Sequence, residues 1–311
     1  MDIAELDNLT IMLDPIGQAG VALALILVMF SVALGLRVDD FRFLVEKPLL
    51  FLGGVATQVV VLPLVTLLLI LFMAPPASVA LGMIVVACCP GGAVSNLMTY
   101  LSRGNVAVSV ALTASSSMLA AALTPVSILF WSHSYVPTSD LLKTLDVSPL
   151  LFLTQTTIML ALPLILGMTV AAKAPDVAAR IRRRATLIGA SALVGIVIYG
   201  IVYFSDILVP VLTAIGLVVL VHNGLAFATG ALAGFVLSRR SATRRALTFE
   251  IGIQNSGLAL VILLSQLQGL GAAAAVAVFW GLWHLIAGSF FVGFFRTLDK
   301  RKHALSQTAE K

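Results

Sequence analysis

Long apolar stretches recur along the chain, and polar or helix-breaking residues separate them. As α-helices rising 1.5 Å per residue, stretches of about 20 residues cross roughly 30 Å of hydrocarbon. They lack the strict alternation of a membrane β-strand. The pattern predicts an all-α polytopic membrane protein with about nine transmembrane helices, over residues 16–36, 48–73, 77–102, 105–131, 148–172, 185–204, 207–237, 246–267 and 272–295.

Composition and charge agree with this reading and add an orientation. The chain is 60% hydrophobic and 11% charged, whereas roughly 25% of residues are charged in a soluble domain. All but one of the 19 basic residues fall in loops on one side, Lys143 being the exception. The positive-inside rule then predicts a cytoplasmic C-terminus and an external N-terminus. The membrane expected is a bacterial inner or plasma membrane. The net charge of +5 reflects this asymmetry and does not indicate a nucleic-acid partner.

Two of the predicted spans are interrupted by helix-breaking residues. "CCPGGAVSN" (88–96) lies within 77–102, and "EIGIQNSG" (250–257) lies within 246–267. Pro90, Gly91 and Gly92 predict that the first helix unwinds and restarts near Ala93. Irregular backbone inside a membrane is tolerated where it is buried in protein or lines a cavity or ion site. A simple kink is the alternative, and the second, matching break favours a site.

The spans divide into two sets that indicate an internal repeat. The first four and the last four can be laid side by side, with the interrupted span third in each set. Because partners are offset by five positions in the order of spans, an odd number, the two sets cross the membrane in opposite directions. This is the pattern of an inverted-repeat transporter, which binds substrate and ions at discontinuous helices.

Glu250 is the acidic residue that lies within a span and away from its ends. A central acid costs at least about 2.5 kcal/mol on insertion scales. No Lys or Arg lies deep in a span, so the open alternatives are protonation, a bound cation, or a place among the headgroups near Arg245. Oxygens of Gln254, Asn255 and Ser256 favour a hard monovalent cation.

Other polar residues in the spans carry weaker signals. Ser109 and Thr113 share one helix face, where hydroxyls serve either a cation or helix packing. His222 and His284 stand alone and read as hydrogen-bonded core residues. The only two cysteines are adjacent at 88 and 89, and they read as inert core thiols, with metalloid or redox chemistry as the alternative. No catalytic constellation is present, so an enzyme is not predicted.

The stretches "CCPGGAVSNLMTYLSRGNVAVSVALT" (88–113) and "EIGIQNSGLA" (250–259) resemble the bile acid:sodium symporter family, in particular bacterial homologues of the apical sodium-dependent bile acid transporter. The likeness covers about residues 20–295. It implies one transporter unit over 1–311, with two crossed, discontinuous helices in a core domain and a second, panel domain that moves against it. The core domain would be 48–131 and 207–295, the panel domain 16–36 and 148–204, and the cytoplasmic tail 296–311.

The resemblance also implies sodium ligands, with Na⁺ as the coupling ion and no other cofactor. One ion would be held by Ser95, Asn96, Ser109, Thr113 and Glu250. The second would be held by the side chains of Gln58, Glu250 and Gln254 with the backbone carbonyls of Ile251 and Ile253. The substrate region would comprise Asn255, Ala93, Val94, His284 and Leu285. Bacterial relatives often carry Thr and Asn at the positions of Ala93 and Leu285, so this pocket is expected to be more apolar.

The function expected is secondary active transport by alternating access. Inward movement of two Na⁺ would drive uptake of an organic anion, either bile-acid-like or a small carboxylate. The alternatives are a proton-coupled carrier, a metalloid efflux carrier that uses Cys88 and Cys89, and an anion sensor that does not transport. The expected partners are Na⁺, the anion and the lipid bilayer, without nucleic acid or an obligatory protein partner.

Overall fold

The computed structural model describes residues 7, 15–36, 45–203 and 205–309. Within these ranges the chain is helical and contains no β-strand. The described helices are α1 Pro15–Ala33, α2 Pro48–Met73, α3 Ala77–Cys88, α4 Ala93–Leu101, α5 Val106–His133, α6 Val136–Thr144, α7 Pro149–Lys173, α8 Pro175–Tyr203, α9 Ser205–Leu237, α10 Ser241–Gly252, α11 Ser256–Gln266 and α12 Gly271–Ala309.

Several of these helices have the length and apolar composition of membrane spans. Five qualify: Pro48–Met73, Val106–His133, Pro149–Lys173, Thr213–Leu237 and Gly271–Arg301. Shorter apolar helices include Ala77–Cys88 and Ser256–Gln266, which are halves of interrupted spans. An all-helical, multi-pass membrane protein is confirmed, while the total of nine spans stays a prediction.

Both predicted interruptions are present. The helix α3 ends at Cys88 and α4 begins at Ala93, the residue at which a restart is predicted. The helix α10 ends at Gly252 and α11 begins at Ser256. Since Pro90 has no backbone N–H to donate and the two glycines after it are poor helix formers, the sequence there favours a break in the helix.

Three helical segments extend beyond what the apolar pattern predicts. The helix α8 begins at Pro175 rather than at 185, and α12 continues through residues 296–309, where a tail is predicted. The short helix α6 occupies a segment for which no element is predicted. Hydrophobic periodicity detects the stretches that face lipid or core, whereas polar residues with good helix propensity carry a helix further.

The half-helices α3 and α11 form the centre of the core. All residues from Ser78 to Cys88 and from Leu258 to Leu264 are buried. At Gly82 a Cβ atom would lie 2.8 Å from the carbonyl oxygen of Ala273, so α3 and α12 pack at backbone distance. A helix that is apolar on every side is stable only when it is surrounded. Burial of these half-helices places their broken ends inside the protein.

A buried ion pair ties the polar ends of three helices together. Arg245 of α10 donates through both terminal nitrogens to the carboxylate of Asp299 in α12 and also to the carbonyl of Ser102, just after α4. Its guanidinium carbon lies 5.1 Å from the centre of the Phe295 ring, and the residue is 6% exposed. The arginine therefore holds the C-terminal end of α4 and the N-terminal part of α10 against α12.

Asp299→Ala is expected to lower the free energy of unfolding by about 3 kcal/mol, because it leaves the Arg245 charge buried without its partner. The measurement is the thermal midpoint of the purified protein. Asp140→Ala is the control, since it breaks the exposed pair with Lys143, where about 0–1 kcal/mol is at stake. Equal, small shifts in both variants would contradict the role given to Arg245.

Candidate functional site

The two broken helices cross, and their unwound segments hydrogen-bond to each other. The N–H of Gly92 donates to the carbonyl of Ile253 at 3.1 Å, and the N–H of Asn255 donates to the carbonyl of Pro90 at 2.9 Å. Gly91 and Gln254 form an antiparallel bridge between these bonds. The interruptions are therefore not simple kinks, because each supplies partners for backbone groups that the other leaves free.

Glu250 lies in the last turn of α10, fully buried beside this crossing. The hydroxyl of Ser95 donates to Oε2 at 2.7 Å, and the hydroxyl of Thr113 lies 2.7 and 2.9 Å from the two carboxylate oxygens. Ser109 adds a third hydroxyl at 3.2 Å. Among the described residues no basic side chain pairs with Glu250. Its side chain is therefore enclosed by protein and surrounded by hydroxyl groups.

The first predicted ligand set is brought together around this carboxylate. Ser95 and Asn96 come from the start of α4, Ser109 and Thr113 from one face of α5, and Glu250 from α10. The hydroxyl of Thr113 lies 3.3 Å from Oδ1 of Asn96, which places Asn96 at the edge of the set. Every atom of this set that would bind a cation is an oxygen, and the Glu250 carboxylate supplies a negative charge. Such a donor set fits a hard cation.

The second predicted set adjoins the first. Nε2 of Gln58 lies 3.4 Å from Oε1 of Gln254, whose own Nε2 donates to the carbonyl of Ile251 at 2.8 Å. Gln58 sits in the π-helical turn Thr57–Val61 of α2, a distortion often found at functional sites. A Cβ at Gly91 would collide with Glu250 and lie 3.3 Å from Gln58, so Gly91 separates the two sets.

A transition-metal site is not indicated around these residues. Across the described ranges, no three side chains of the types His, Cys, Asp or Glu come close enough to hold a metal ion. The oxygens gathered at the crossing are one carboxylate together with hydroxyl, amide and carbonyl groups. These ligands suit hard cations, whereas zinc and copper sites use imidazole and thiolate.

Three predicted substrate positions lie at the start of the second half-helices. Asn255 is half-buried and caps α11, because its Oδ1 accepts the N–H of Leu258 at 3.0 Å. Ala93 and Val94 are the first residues of α4, the former exposed and the latter half-buried. The helices α4 and α11 thus both begin at the crossing, and their N-termini carry partial positive charge.

The remaining predicted substrate positions lie on α12 beside the same crossing. Gly281 faces the first residue of α11, and Gly288 faces Ile253 in the unwound segment. Residues three and four apart share a helix face, so His284 and Leu285 lie between these two contacts. His284 is buried and Leu285 is 38% exposed. The structure therefore groups all five predicted substrate residues around one crossing.

Two side chains at the crossing are absent from the sequence prediction. Oγ1 of Thr124 donates to the carbonyl of Cys88 at 3.0 Å, and Nδ2 of Asn223 donates to the carbonyl of Gly252 at 3.0 Å. Each half-helix that ends at the crossing thus has its last carbonyl bonded by a side chain from a neighbouring helix. The sequence signal that could have identified them is a polar residue within an apolar stretch. This residue is Thr124 in "ALTPV" and Asn223 in "VHNGLA".

The cysteines and His222 lie next to the predicted ligands rather than among them. Cys88 and Cys89 are buried and free, and the hydroxyl of Ser127 donates to Sγ of Cys88 at 3.3 Å. Both line a small cleft next to Gln58, with a cavity volume of about 10 Å³, enough for about one water. His222 is hydrogen-bonded to a threonine of α2 at 2.8 Å, which confirms its reading as a core residue.

Comparison with known proteins identifies relatives over almost the whole chain. The sequence model of the sodium bile acid symporter family matches residues 22–213. The uncharacterized sodium-dependent transporter YocS of Bacillus subtilis is 32% identical, with 91% of this chain and 85% of YocS aligned. The probable sodium/metabolite cotransporter BASS1 of rice chloroplasts is 30% identical, over 87% of this chain and 64% of its own length. The human ileal sodium/bile acid cotransporter is 28% identical, over 89% and 78%.

Proposed function

The chain belongs to the sodium bile acid symporter family, and from that premise we propose that it couples inward movement of Na⁺ to uptake of an organic anion. One observation carries this proposal. Glu250 is fully buried at the crossing of two broken helices and is surrounded by neutral oxygen donors. A buried carboxylate needs a compensating charge, and a bound cation supplies it without a basic side chain.

Two sodium ions share Glu250 in this proposal. The first occupies the oxygens of Ser95, Asn96, Ser109 and Thr113, and the second lies on the side of Gln58, Gln254 and the carbonyls of Ile251 and Ile253. Two cations against one carboxylate leave a net charge of about +1. The C-termini of α3 and α10, which carry partial negative charge, also end at the crossing and favour cations.

The anion binds beside Asn255, at the N-termini of α4 and α11. The positive ends of these helices and the net charge of the loaded ion sites both attract an anion, so no membrane arginine is required. Ala93 and Leu285 contribute apolar surface near Asn255 and few hydrogen-bond donors. The substrate class is therefore an organic carboxylate with an apolar body, either bile-acid-like or a small carboxylate.

Alternating access in this proposal arises from movement of two units. The core domain comprises residues 48–131 and 207–295 and contains two inverted repeats. The panel domain comprises residues 16–36 and 148–204. The whole chain has nine spans. The packing of α1 against α7 and α8 supports this grouping.

The basic loops and the 296–311 tail face the cytoplasm of a bacterial inner or plasma membrane, with the N-terminus outside. The panel domain rocks against the core domain and exposes the crossing to each side in turn.

Uptake is expected to be driven by sodium and to carry current. Two Na⁺ with a monoanion move one net positive charge inward, worth about 2.3 kcal/mol per 100 mV. The test uses purified protein in vesicles with an inward Na⁺ gradient and, for comparison, a K⁺ gradient. Labelled bile acids and small carboxylates are screened for uptake, and current is recorded with each substrate found.

Different results would contradict different parts of the proposal. Anion uptake that follows a proton gradient and ignores Na⁺ would replace sodium coupling with proton coupling. Sodium-driven uptake of a monoanion without current would exclude two ions per anion. Saturable anion binding without accumulation in vesicles would favour a sensor over a transporter.

A further inference from the structure

Three consecutive carbonyls at the end of α10 each have a different partner. The carbonyl of Ile251 accepts from Nε2 of Gln254 at 2.8 Å, and that of Ile253 accepts from the N–H of Gly92 at 3.1 Å. Between them, the carbonyl of Gly252 accepts from Nδ2 of Asn223 in α9 at 3.0 Å. The last carbonyls of a helix have no partner within the helix, so side chains and crossing backbone decide where they point.

We propose that Asn223 is a positioning residue for the second sodium ion, an inference that rests on the proposed function. By holding the Gly252 carbonyl toward α9, Asn223 fixes the peptide plane between Gly252 and Ile253, which lies between the two peptide units that carry the Ile251 and Ile253 carbonyls. The carbonyls of Ile251 and Ile253 are then directed to the ion. Residues that orient metal ligands in this way influence affinity without touching the metal.

The amide of Asn223 is oriented by its bond to Gly252. Asn223 has no exposed surface, and its Oδ1 has no hydrogen-bond partner among the described residues. An unpartnered polar atom in the interior is unfavourable. The amide nitrogen must face Gly252 to make its bond, which leaves the oxygen without a donor. An apolar side chain of similar size would leave the Gly252 carbonyl unpartnered in place of Oδ1, so the specific effect of the asparagine is on the orientation of that carbonyl.

Packing from the same helix supports this role. The ring of Phe227, one turn after Asn223 on α9, occupies the place that a Cβ at residue 252 would take. Residues four apart lie on one face of a helix, so α9 presents both side chains to Gly252. The glycine is thus fixed sterically by the ring and by the hydrogen bond from Asn223.

The other half-helix provides a matched control. Thr124 of α5 bonds the carbonyl of Cys88 at the end of α3, as Asn223 bonds that of Gly252. Neither Cys88 nor Cys89 belongs to the proposed ion ligands. Thr124→Val therefore removes the same kind of bond at the same crossing, at a carbonyl that is not among the proposed sodium ligands.

The experiment titrates Na⁺ against purified wild-type protein, Asn223→Leu, Asn223→Ala and Thr124→Val, using radioactive ²²Na⁺ binding and the thermal midpoint in Na⁺ or K⁺. In both Asn223 variants the Na⁺ concentration for half-saturation is expected to rise roughly tenfold to a hundredfold. The Na⁺ binding curve is also expected to become as shallow as that of a protein that binds one ion, because the second ion is lost. For Asn223→Leu the midpoint in K⁺ is expected to stay close to wild type, because one unpartnered buried group replaces another, whereas Asn223→Ala also leaves a cavity at a fully buried position and is expected to lower the midpoint in K⁺. Thr124→Val should keep the steep two-ion titration.

Two results would overturn the inference. One is wild-type sodium affinity and steepness in the Asn223 variants. The other is equal loss of thermal stability in Na⁺ and K⁺ with unchanged sodium affinity, which would make Asn223 an ordinary structural residue. A wild-type protein without a sodium-specific response would instead overturn the proposed function, and this inference with it.

Discussion

Glu250→Gln is expected to abolish the response of the protein to sodium. The substitution keeps the size of the side chain and an oxygen that accepts from Ser95 or Thr113, but it removes the negative charge. Two cations in a buried site without a carboxylate would be left uncompensated, which is strongly unfavourable. The variant is therefore expected to fold normally and to lose binding of both ions.

The measurement for Glu250→Gln is the thermal midpoint in Na⁺ and in K⁺ at matched ionic strength. At a Na⁺ concentration one hundred times Kd, sodium stabilises the wild-type fold by about 2.7 kcal/mol, and the variant loses this increment. In K⁺ the variant should be at least as stable as wild type, because an uncompensated buried carboxylate has been removed. Asp176→Asn, at an exposed acid in the first turn of α8, is the control for loss of a carboxylate elsewhere.

A sodium-specific increment that survives in Glu250→Gln would remove Glu250 from the ion site. If the wild type responds equally to Na⁺ and K⁺ while Glu250→Gln is more stable in both, the proton-coupled alternative is favoured. In that case the glutamine resembles a protonated, loaded carrier. Sodium coupling and proton coupling predict different responses of the wild-type protein to Na⁺ and K⁺. The thermal midpoints therefore distinguish the two before any substrate is known.

Gly91→Ala is the second change with a large expected effect. The added Cβ would collide with the Glu250 carboxylate, and it would lie 3.3 Å from Nε2 of Gln58. The methyl group would therefore push between the two proposed ion sets and displace the carboxylate that they share. Sodium affinity is expected to fall at least about tenfold, the lower end of the effect of disturbing ligand orientation.

Gly92→Ala is a matched control for Gly91→Ala at the adjacent position. Its Cβ would lie 3.3 Å from the backbone carbonyl oxygen of Gln254, a milder contact than the collision of a Gly91 Cβ with the Glu250 carboxylate. The two variants change the flexibility of the same segment equally, so a general effect on the backbone would weaken sodium binding equally in both. Equal sodium affinities in the two variants would contradict the placement of Gly91 between the ion sets.

Much of the site was accessible from local sequence. Pro90 with its two following glycines predicts the first break because it lacks a donor and they lack side chains. Glu250 is conspicuous because a carboxylate in an apolar stretch is costly wherever the helix lies in the membrane. The crossing of the two breaks could not be predicted in the same way. Ser95 and Glu250 are 155 residues apart, and no local sequence pattern relates them.

Local sequence establishes where the chain is apolar, where its helices break and which residues carry oxygen or charge, because these properties depend on neighbouring residues. Packing of distant segments establishes that α3 and α11 are enclosed, that the breaks cross, and that Asn223 and Thr124 bond the carbonyls at Gly252 and Cys88. A side chain such as Asn223 acquires its role from a helix end distant in sequence. That partner is selected by packing of the whole core, which no local pattern encodes.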